Sequence, residues 1–250
     1  MAWPGLVKKP FDKGFLVIFE KDFCMASQFE FLFFKIRIGR FLFLLISLML
    51  WLVIQPFLDE FINISTLMDI FITVILISAV YAVSQKRVVF IAGILLAITA
   101  VIIRWTSHFL DLFPLEAANN IVSALFLGFT IVIILNYLFS EKRITADIIM
   151  GAICVYFLMG LMWAMGYSLL EMFDPGSFQI PQSMDIAGPD FGYYSFVTLT
   201  TLGYGDITPL SGPAQSLSTL EAAMGQLYLA VLVARLVGVH ISQSRWERYE

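Results

Sequence analysis

Apolar runs near the length needed to cross a bilayer recur along the 250-residue chain, with short polar connectors between them. Read in windows, the pattern predicts six spanning helices, at roughly 41–58, 67–84, 88–106, 119–139, 146–170 and 214–238. A helix rises about 1.5 Å per residue, so about 20 residues cover a hydrocarbon core of about 30 Å. The first two runs are therefore minimal spanners. Four connectors are short: DEFINIST, SQKR, SHFLDLFPLEAA and EKRITAD. The fifth, between the last two runs, is much longer and mixes polar with apolar residues. None of them predicts a separate soluble domain or a low-complexity tract.

Composition agrees with the pattern, since 60% of residues are hydrophobic and 14% are charged. The expectation is an all-α, multi-pass protein of the cell membrane with membrane lipids as partners. No cleavable leader is expected, because the first 40 residues mix Phe with Lys, Glu and Asp. Basic residues cluster before the first run, after the second, after the fourth and after the sixth, while Arg104 lies towards the opposite face. That bias predicts both termini in the cytoplasm. Acidic residues weigh little in orientation and add nothing to it. Cys24 and Cys154 do not make a disulfide framework.

The long connector divides in two. FDPGSFQIPQSMDIAGP is rich in turn formers and predicts an extracellular turret, whereas DFGYYSFVTLT predicts a helix beginning near Asp190 and too short to cross the bilayer. Such a helix has to dip in and return. Non-helical backbone at membrane depth survives only where protein buries it or where it lines a watery cavity. The stretch that follows, TLTTLGYGDITP, has Gly203 and Gly205 on either side of Tyr204, and both tolerate backbone conformations that a Cβ hinders.

Thr200, Thr201, Leu202, Gly203, Tyr204, Gly205 and Asp206 resemble the selectivity filter of the potassium channel family, whose loops read TVGYG. The resemblance implies a homotetramer, with K⁺ as the permeant ligand and no other cofactor. It also implies that K⁺ is held by the carbonyls of Thr201, Leu202, Gly203 and Tyr204 and by the Thr201 hydroxyl, with Gly205 completing the filter. Residues 193–200 match the pore helix of that family and 214–238 its inner helix. The rest of the chain matches only the six-span layout of larger members. Leu202 replaces the usual Val, but the family's geometry turns that side chain away from the ion.

Support for the filter is expected from Thr200, Asp206, Tyr193, Tyr194, Val197 and Glu221. Val197 stands where some members carry a carboxylate, so a carboxylate contact to Asp206 from that position is absent. The two tyrosines occupy bracing positions, as hydrogen-bond donors or as simple core contacts. Glu221, an ionisable residue in an apolar helix, is expensive there and is expected to brace the short helix. Gly225 coincides with the family's gating hinge and reads equally as a close-packing residue. Arg235 reads as a snorkel to lipid phosphate or a charge at the pore mouth.

No basic residue lies in 119–139, so the resemblance is to a six-span pore-loop channel without a charged voltage sensor and without a cytoplasmic regulatory domain. The expected domains are an interfacial N-terminal segment, 1–40; a voltage-sensor-like scaffold lacking gating charges, 41–139; a pore domain, 140–240; and a short tail, 241–250. Phe15 to Arg37 is expected to lie as an amphipathic helix on the cytoplasmic surface. His108 is a single histidine in its loop, and no second His or Cys joins it there to make a metal cluster. No nucleophile and base arrangement, no nucleic-acid-binding feature and no soluble ligand-binding domain is evident. The functional expectation is passive K⁺ conduction that is not steeply voltage-gated. The alternatives are a secondary cation transporter and a non-conducting membrane scaffold.

Overall fold

A computed structural model of the chain describes residues 41–58, 70, 72–79, 87–110, 113–141, 143–181 and 190–246. These fall in one compact unit, Arg40–Glu250; the unit Met1–Gly39, and with it the amphipathic stretch expected over 15–37, lies outside the described residues. The side chain of His108 and residues 182–189 of the expected turret also lie outside them.

The described residues form helices α1 (Leu42–Leu58), α2 (Arg87–Leu110), α3 (Phe113–Ser140), α4 (Ala146–Phe173), α5 (Phe191–Leu199) and α6 (Gly212–Trp246). A further helical stretch covers 72–79. Two-residue strands, β1 (Phe178–Gln179) and β2 (Thr208–Pro209), pair antiparallel with Phe178 opposite Pro209 and Gln179 opposite Thr208.

Local chemistry accounts for the ends of these helices. The Thr145 side chain accepts from the N–H of Ile148 at the start of α4, satisfying one of the donors a first turn leaves open. Pro175 and Gly176, the latter at φ 86°, follow the last turn and stop the helix. Ser211 caps α6 by accepting from Ala214 N–H, with Pro213 in the first turn.

α4 is the hub, in contact with α1, α3, α5 and α6. Its packing depends on glycine at the α1 crossing: a Cβ at Gly151 would lie 3.0 Å from the Phe41 ring, which is itself buried. Phe41, Leu44, Leu48 and Trp51 give α1 one buried stripe at helical spacing, and it joins Val155 and Leu158 of α4 in the main core. A second cluster gathers Tyr167, Phe178, Phe191, Tyr194, Ile207 and Ala214, with ring centroids 5.0–5.5 Å apart in edge-to-face pairs such as Tyr167–Tyr194 and Tyr167–Phe178. It ties α5, β1 and the start of α6 to the end of α4.

The six-span expectation is corrected by these helices. Among the described residues, four helices are long and apolar enough to cross a membrane: Val88–Ser107, Pro114–Ser140, Ala146–Phe173 and Gly212–Val239. The run at 41–58 is a 17-residue helix whose apolar part is Leu42–Val53, and at 1.5 Å per residue it is shorter than a hydrocarbon core of about 30 Å. Its buried stripe packs on α4, while Phe43, Ile46, Leu50 and Val53 on its other side are exposed. The run at 67–84 is described only at 70 and 72–79, so the rest of that predicted span lies outside the described residues. With six spans gone, the six-span channel layout goes too, and no voltage-sensor-like bundle is found among the described residues. A single chain likewise carries no evidence of a pore helix re-entering a bilayer or of a tetramer. What stands is an all-α, multi-pass membrane fold.

Candidate functional site

The site is built on α5, a nine-residue helix held at both ends. Asp190 caps its start by accepting from Tyr193 N–H at 2.9 Å. At its other end Thr200 donates its N–H and its hydroxyl to Phe196 O, at 3.0 and 2.7 Å. Behind the helix, a Cβ at Gly160 of α4 would sit 2.8 Å from the Phe196 ring, so that glycine lets α5 lie close.

The chain leaves α5 in an unusual path. Thr201, Gly203 and Gly205 have φ of 58°, 59° and 79°, so every second residue is left-handed. Thr201 is the one non-glycine with positive φ among the described residues, and a β-branched residue in that region is strained by about 1–3 kcal/mol. Hydrogen bonds hold it there. The N–H of Thr201 donates to Thr198 O, and the N–H groups of Leu202 and Gly203 both donate to Val197 O, at 2.9 and 3.3 Å. In a trans peptide the N–H and C=O point in opposite directions. Donation of these three N–H groups to α5 therefore turns the carbonyls of Thr200, Thr201 and Leu202 away from it. Three successive carbonyl oxygens face away from the helix, which is an arrangement that ordinary strand backbone, with its alternation, does not make.

The far end of the loop is pinned separately. Asp206 accepts from the Tyr193 phenol at 2.6 Å and from Ile207 N–H at 3.0 Å. Donation to that carboxylate pushes the Tyr193 phenol up to about 12, and accepting from Tyr193 holds the Asp206 carboxyl below its ordinary value. The Tyr193 ring stacks on Tyr204 at 6.5 Å between centroids. Ile207 is buried, and the N–H groups of Leu210 and Ser211 donate to Ser177 O.

Tyr194 does something different from its neighbour. Its phenol shares a 2.6 Å hydrogen bond with Ser218 of α6 and is buried, so it ties α5 to α6 and leaves the loop untouched. Val197 is buried, and its carbonyl, not its side chain, meets the loop. Leu202 and Tyr204 are exposed in the isolated chain. An open cavity of about 720 Å³ runs beside them, lined by Trp51, Tyr156, Phe157, Phe196 and Val197.

Glu221 is fully buried on α6 and joins three helices. Tyr167 of α4 donates to its Oε2 at 2.5 Å, and the Ser195 hydroxyl of α5 lies 2.5 Å from its Oε1 and 2.7 Å from Gly160 O. Gly225, one turn on, is buried where α6 crosses the end of α5, and a Cβ there would overlap the Leu199 carbonyl oxygen. That carbonyl also accepts from the Tyr156 phenol at 3.3 Å. Arg235 donates to Glu141 O at 3.0 Å and lies 4.5 Å over the Phe139 ring. It is far along α6 from the loop.

Ser195, Ser218, Tyr167 and Gln226 were not singled out from the sequence. A carboxylate inside an apolar run asks for hydroxyl partners, and that was the available signal for Ser195 and Tyr167. Gln226 donates from Nε2 to the Thr201 hydroxyl at 3.2 Å; an amide beside a glycine in an apolar helix was its signal. Among the described residues no group of three or more His, Cys, Asp or Glu could hold a metal ion.

Residues 153–241 match the model of a family described as ion channel. No curated protein and no solved structure matches the chain. The matched segment covers α5, the loop and most of α4 and α6, which are the elements that build the site. The chain is thus a multi-pass membrane protein in which residues 153–241 are similar to ion channels.

Proposed function

We propose that this protein is a potassium-selective channel that lets K⁺ pass down its gradient, with Thr201, Leu202, Gly203 and Tyr204 lending their carbonyls, and Thr201 its hydroxyl, in place of the ion's water. The observation that carries the reading is the left-handed backbone at Thr201, Gly203 and Gly205 together with the N–H groups spent on α5. Carbonyls turned to one side are what a dehydrated cation requires. Thr200, Asp206 and Tyr193 support the loop in this reading, while Val197 does so through its carbonyl; Tyr194 and Glu221 support α5.

One chain supplies one wall of such a pore, so the proposal includes assembly from several copies, with the homotetramer as its stoichiometry. α6 supports it. Only 6% of its membrane window is buried within the chain, against 61% for α4. Gln215, Thr219 and Gln226 are exposed on it beside exposed Leu220, Leu227 and Val231. Amides facing lipid are costly, so that polar stripe faces water or another copy. Both termini are placed in the cytoplasm on the distribution of Lys and Arg.

Purified protein in liposomes tests the reading. K⁺ efflux without ATP or a coupled ion, a reversal potential near the K⁺ value in opposed K⁺ and Na⁺ gradients, and four copies by native mass measurement are the expected results. Flux that needs a co-ion would point to a secondary transporter. No flux from well-inserted protein would leave a membrane scaffold.

A further inference from the structure

We propose that Gln226 is a positioning residue for the loop: its side-chain amide holds the Thr201 hydroxyl, and through it the strained Thr201 backbone, in the arrangement that tells K⁺ from smaller cations. The inference rests on the channel reading and names a residue of α6 that this reading by itself does not use.

The geometry is specific. Thr201 combines a β-branched side chain with φ 58°, so its conformation persists only if its surroundings hold it. Its N–H is tied to Thr198 O of α5, which anchors the backbone side. The hydroxyl side is met from α6, where Gln226 Nε2 lies 3.2 Å from Oγ1. The position of Gln226 is itself set by its neighbour, because Gly225 lets α6 seat against the Leu199 carbonyl at the end of α5. A helix that close cannot slide without a collision. Its next side chain therefore arrives at Thr201 at a defined height.

The amide suits a hydroxyl that has to serve a cation. A threonine hydroxyl has one proton and two lone pairs, and only a lone pair can face a cation. In the described arrangement Nε2–H takes one lone pair and fixes the rotation of the group. Turning the amide over brings Oε1 to the same place, where it accepts the hydroxyl proton and frees both lone pairs. Leucine can do neither. Asparagine keeps the amide but falls one methylene short. A cation small enough to need closer ligands is rejected only while the hydroxyl is prevented from following it inwards, and that restraint is what Gln226 supplies.

The test reads ion selectivity, which a merely structural residue would leave alone. Wild type, Gln226→Leu and Gln226→Asn are reconstituted in liposomes, copy number is checked by native mass measurement, and the K⁺/Na⁺ permeability ratio is taken from reversal potentials. One hydrogen bond is worth about 3- to 10-fold in such a ratio. Both variants are expected to lose about that much with copy number unchanged. In a Thr201→Val background, Gln226→Leu is expected to change nothing further, since the partner has gone. An unchanged ratio in the variants, or an equal loss in the Thr201→Val background, overturns the inference while the channel reading stands. If Gln226→Leu does not assemble, the Gln226→Asn ratio decides. Wild-type protein that passes K⁺ and Na⁺ alike overturns the channel reading, and this inference with it.

Discussion

The Tyr193 phenol donates to the Asp206 carboxylate across 2.6 Å, joining the first turn of α5 to the end of the left-handed loop. The bond needs a protonated phenol and an ionised carboxylate. Asp206 titrates below its usual 3.8 in the folded chain, so its contribution is present above pH 3.8 and is lost as pH falls below that value. Tyr193 is raised from 10.0 to about 12, so its contribution is complete below pH 10.0 and is lost as pH rises through about 12.

Tyr193→Phe should therefore destabilise the protein by a constant amount across the whole interval from pH 3.8 to 10.0. Outside it, the difference from wild type should shrink. Both groups are only partly buried, so solvent screens the pair and the effect is small. Thermal unfolding of the two proteins in detergent over a pH series measures it, and a difference that varies steeply near neutrality would show that other groups control the bond.

Replacing Glu221 separates size from hydrogen bonding. Gln at 221 can accept from Tyr167 and donate to Ser195, whose own proton then goes to Gly160 O, so every partner stays satisfied. Leu at 221 leaves the Tyr167 phenol without its acceptor in a dry site. Glu221→Leu is expected to cost about 1–3 kcal/mol or more, and Glu221→Gln much less. Equal unfolding midpoints for the two variants would remove Glu221 from this network.

Glycines in two helices should respond with opposite signs. A Cβ at Gly225 meets the Leu199 carbonyl, which is backbone and cannot swing aside, so Gly225→Ala should destabilise by about 1–3 kcal/mol. A Cβ at Gly166 of α4 meets nothing within 4 Å, and Gly166→Ala should be neutral or stabilising by up to about 1 kcal/mol. Melting the pair side by side checks this, and a Gly225→Ala protein as stable as wild type would mean that α6 stands further from α5 than described.

Within the loop the expected cost is conformational. Neither Gly203 nor Gly205 has an atom within 4 Å of a built Cβ, yet both have positive φ, so alanine there costs about 1–2 kcal/mol per site without any clash. Gly203→Ala and Gly205→Ala should insert and assemble while losing K⁺ flux or selectivity. Full flux with unchanged selectivity from either assembled variant would contradict the role proposed for the loop.

Open probability should be nearly flat with voltage over about ±100 mV, since the four membrane-length helices among the described residues carry Arg104 and Arg235 as their only Lys or Arg and so no repeated ladder of charge. Each charge moved through the full field is worth about 2.3 kcal/mol per 100 mV, and even one per copy would produce a steep curve. Planar-bilayer recording in symmetric K⁺ measures open probability directly, and a steep exponential rise would send attention to Arg104, which is buried in α2.

Much of the local structure was legible from residue order alone. Apolar runs long enough to span are continuous in the chain, so the helices at 88–106, 119–139, 146–170 and 214–238 were found, each ending within a few residues of its prediction except the start of α3 and the far end of α6. Asp190 before an apolar stretch marked the start of α5, and glycines on alternate positions marked the loop. These are short-range signals, because helix caps, span length and glycine dihedrals depend on residues a few positions apart.

Run length misled at 41–58, where the same apolar composition makes a helix too short to span that covers α4 instead, and only its neighbours distinguish the two uses. The contacts that assemble the site were equally out of reach. Ser195 and Tyr167 meet Glu221 from 26 and 54 positions away, and Gln226 meets Thr201 from 25. Whether such pairs touch depends on how far each helix is rotated and slid against the next, and that is settled by packing details such as the missing side chains of Gly151, Gly160 and Gly225. Residue order determined which segments would be helices and that the backbone at Gly203 and Gly205 was free to turn left-handed; the tertiary structure alone decided that Thr201 turns with them and which side chains hold the loop, because helix rotation and depth are properties of the packed interface and not of any one segment.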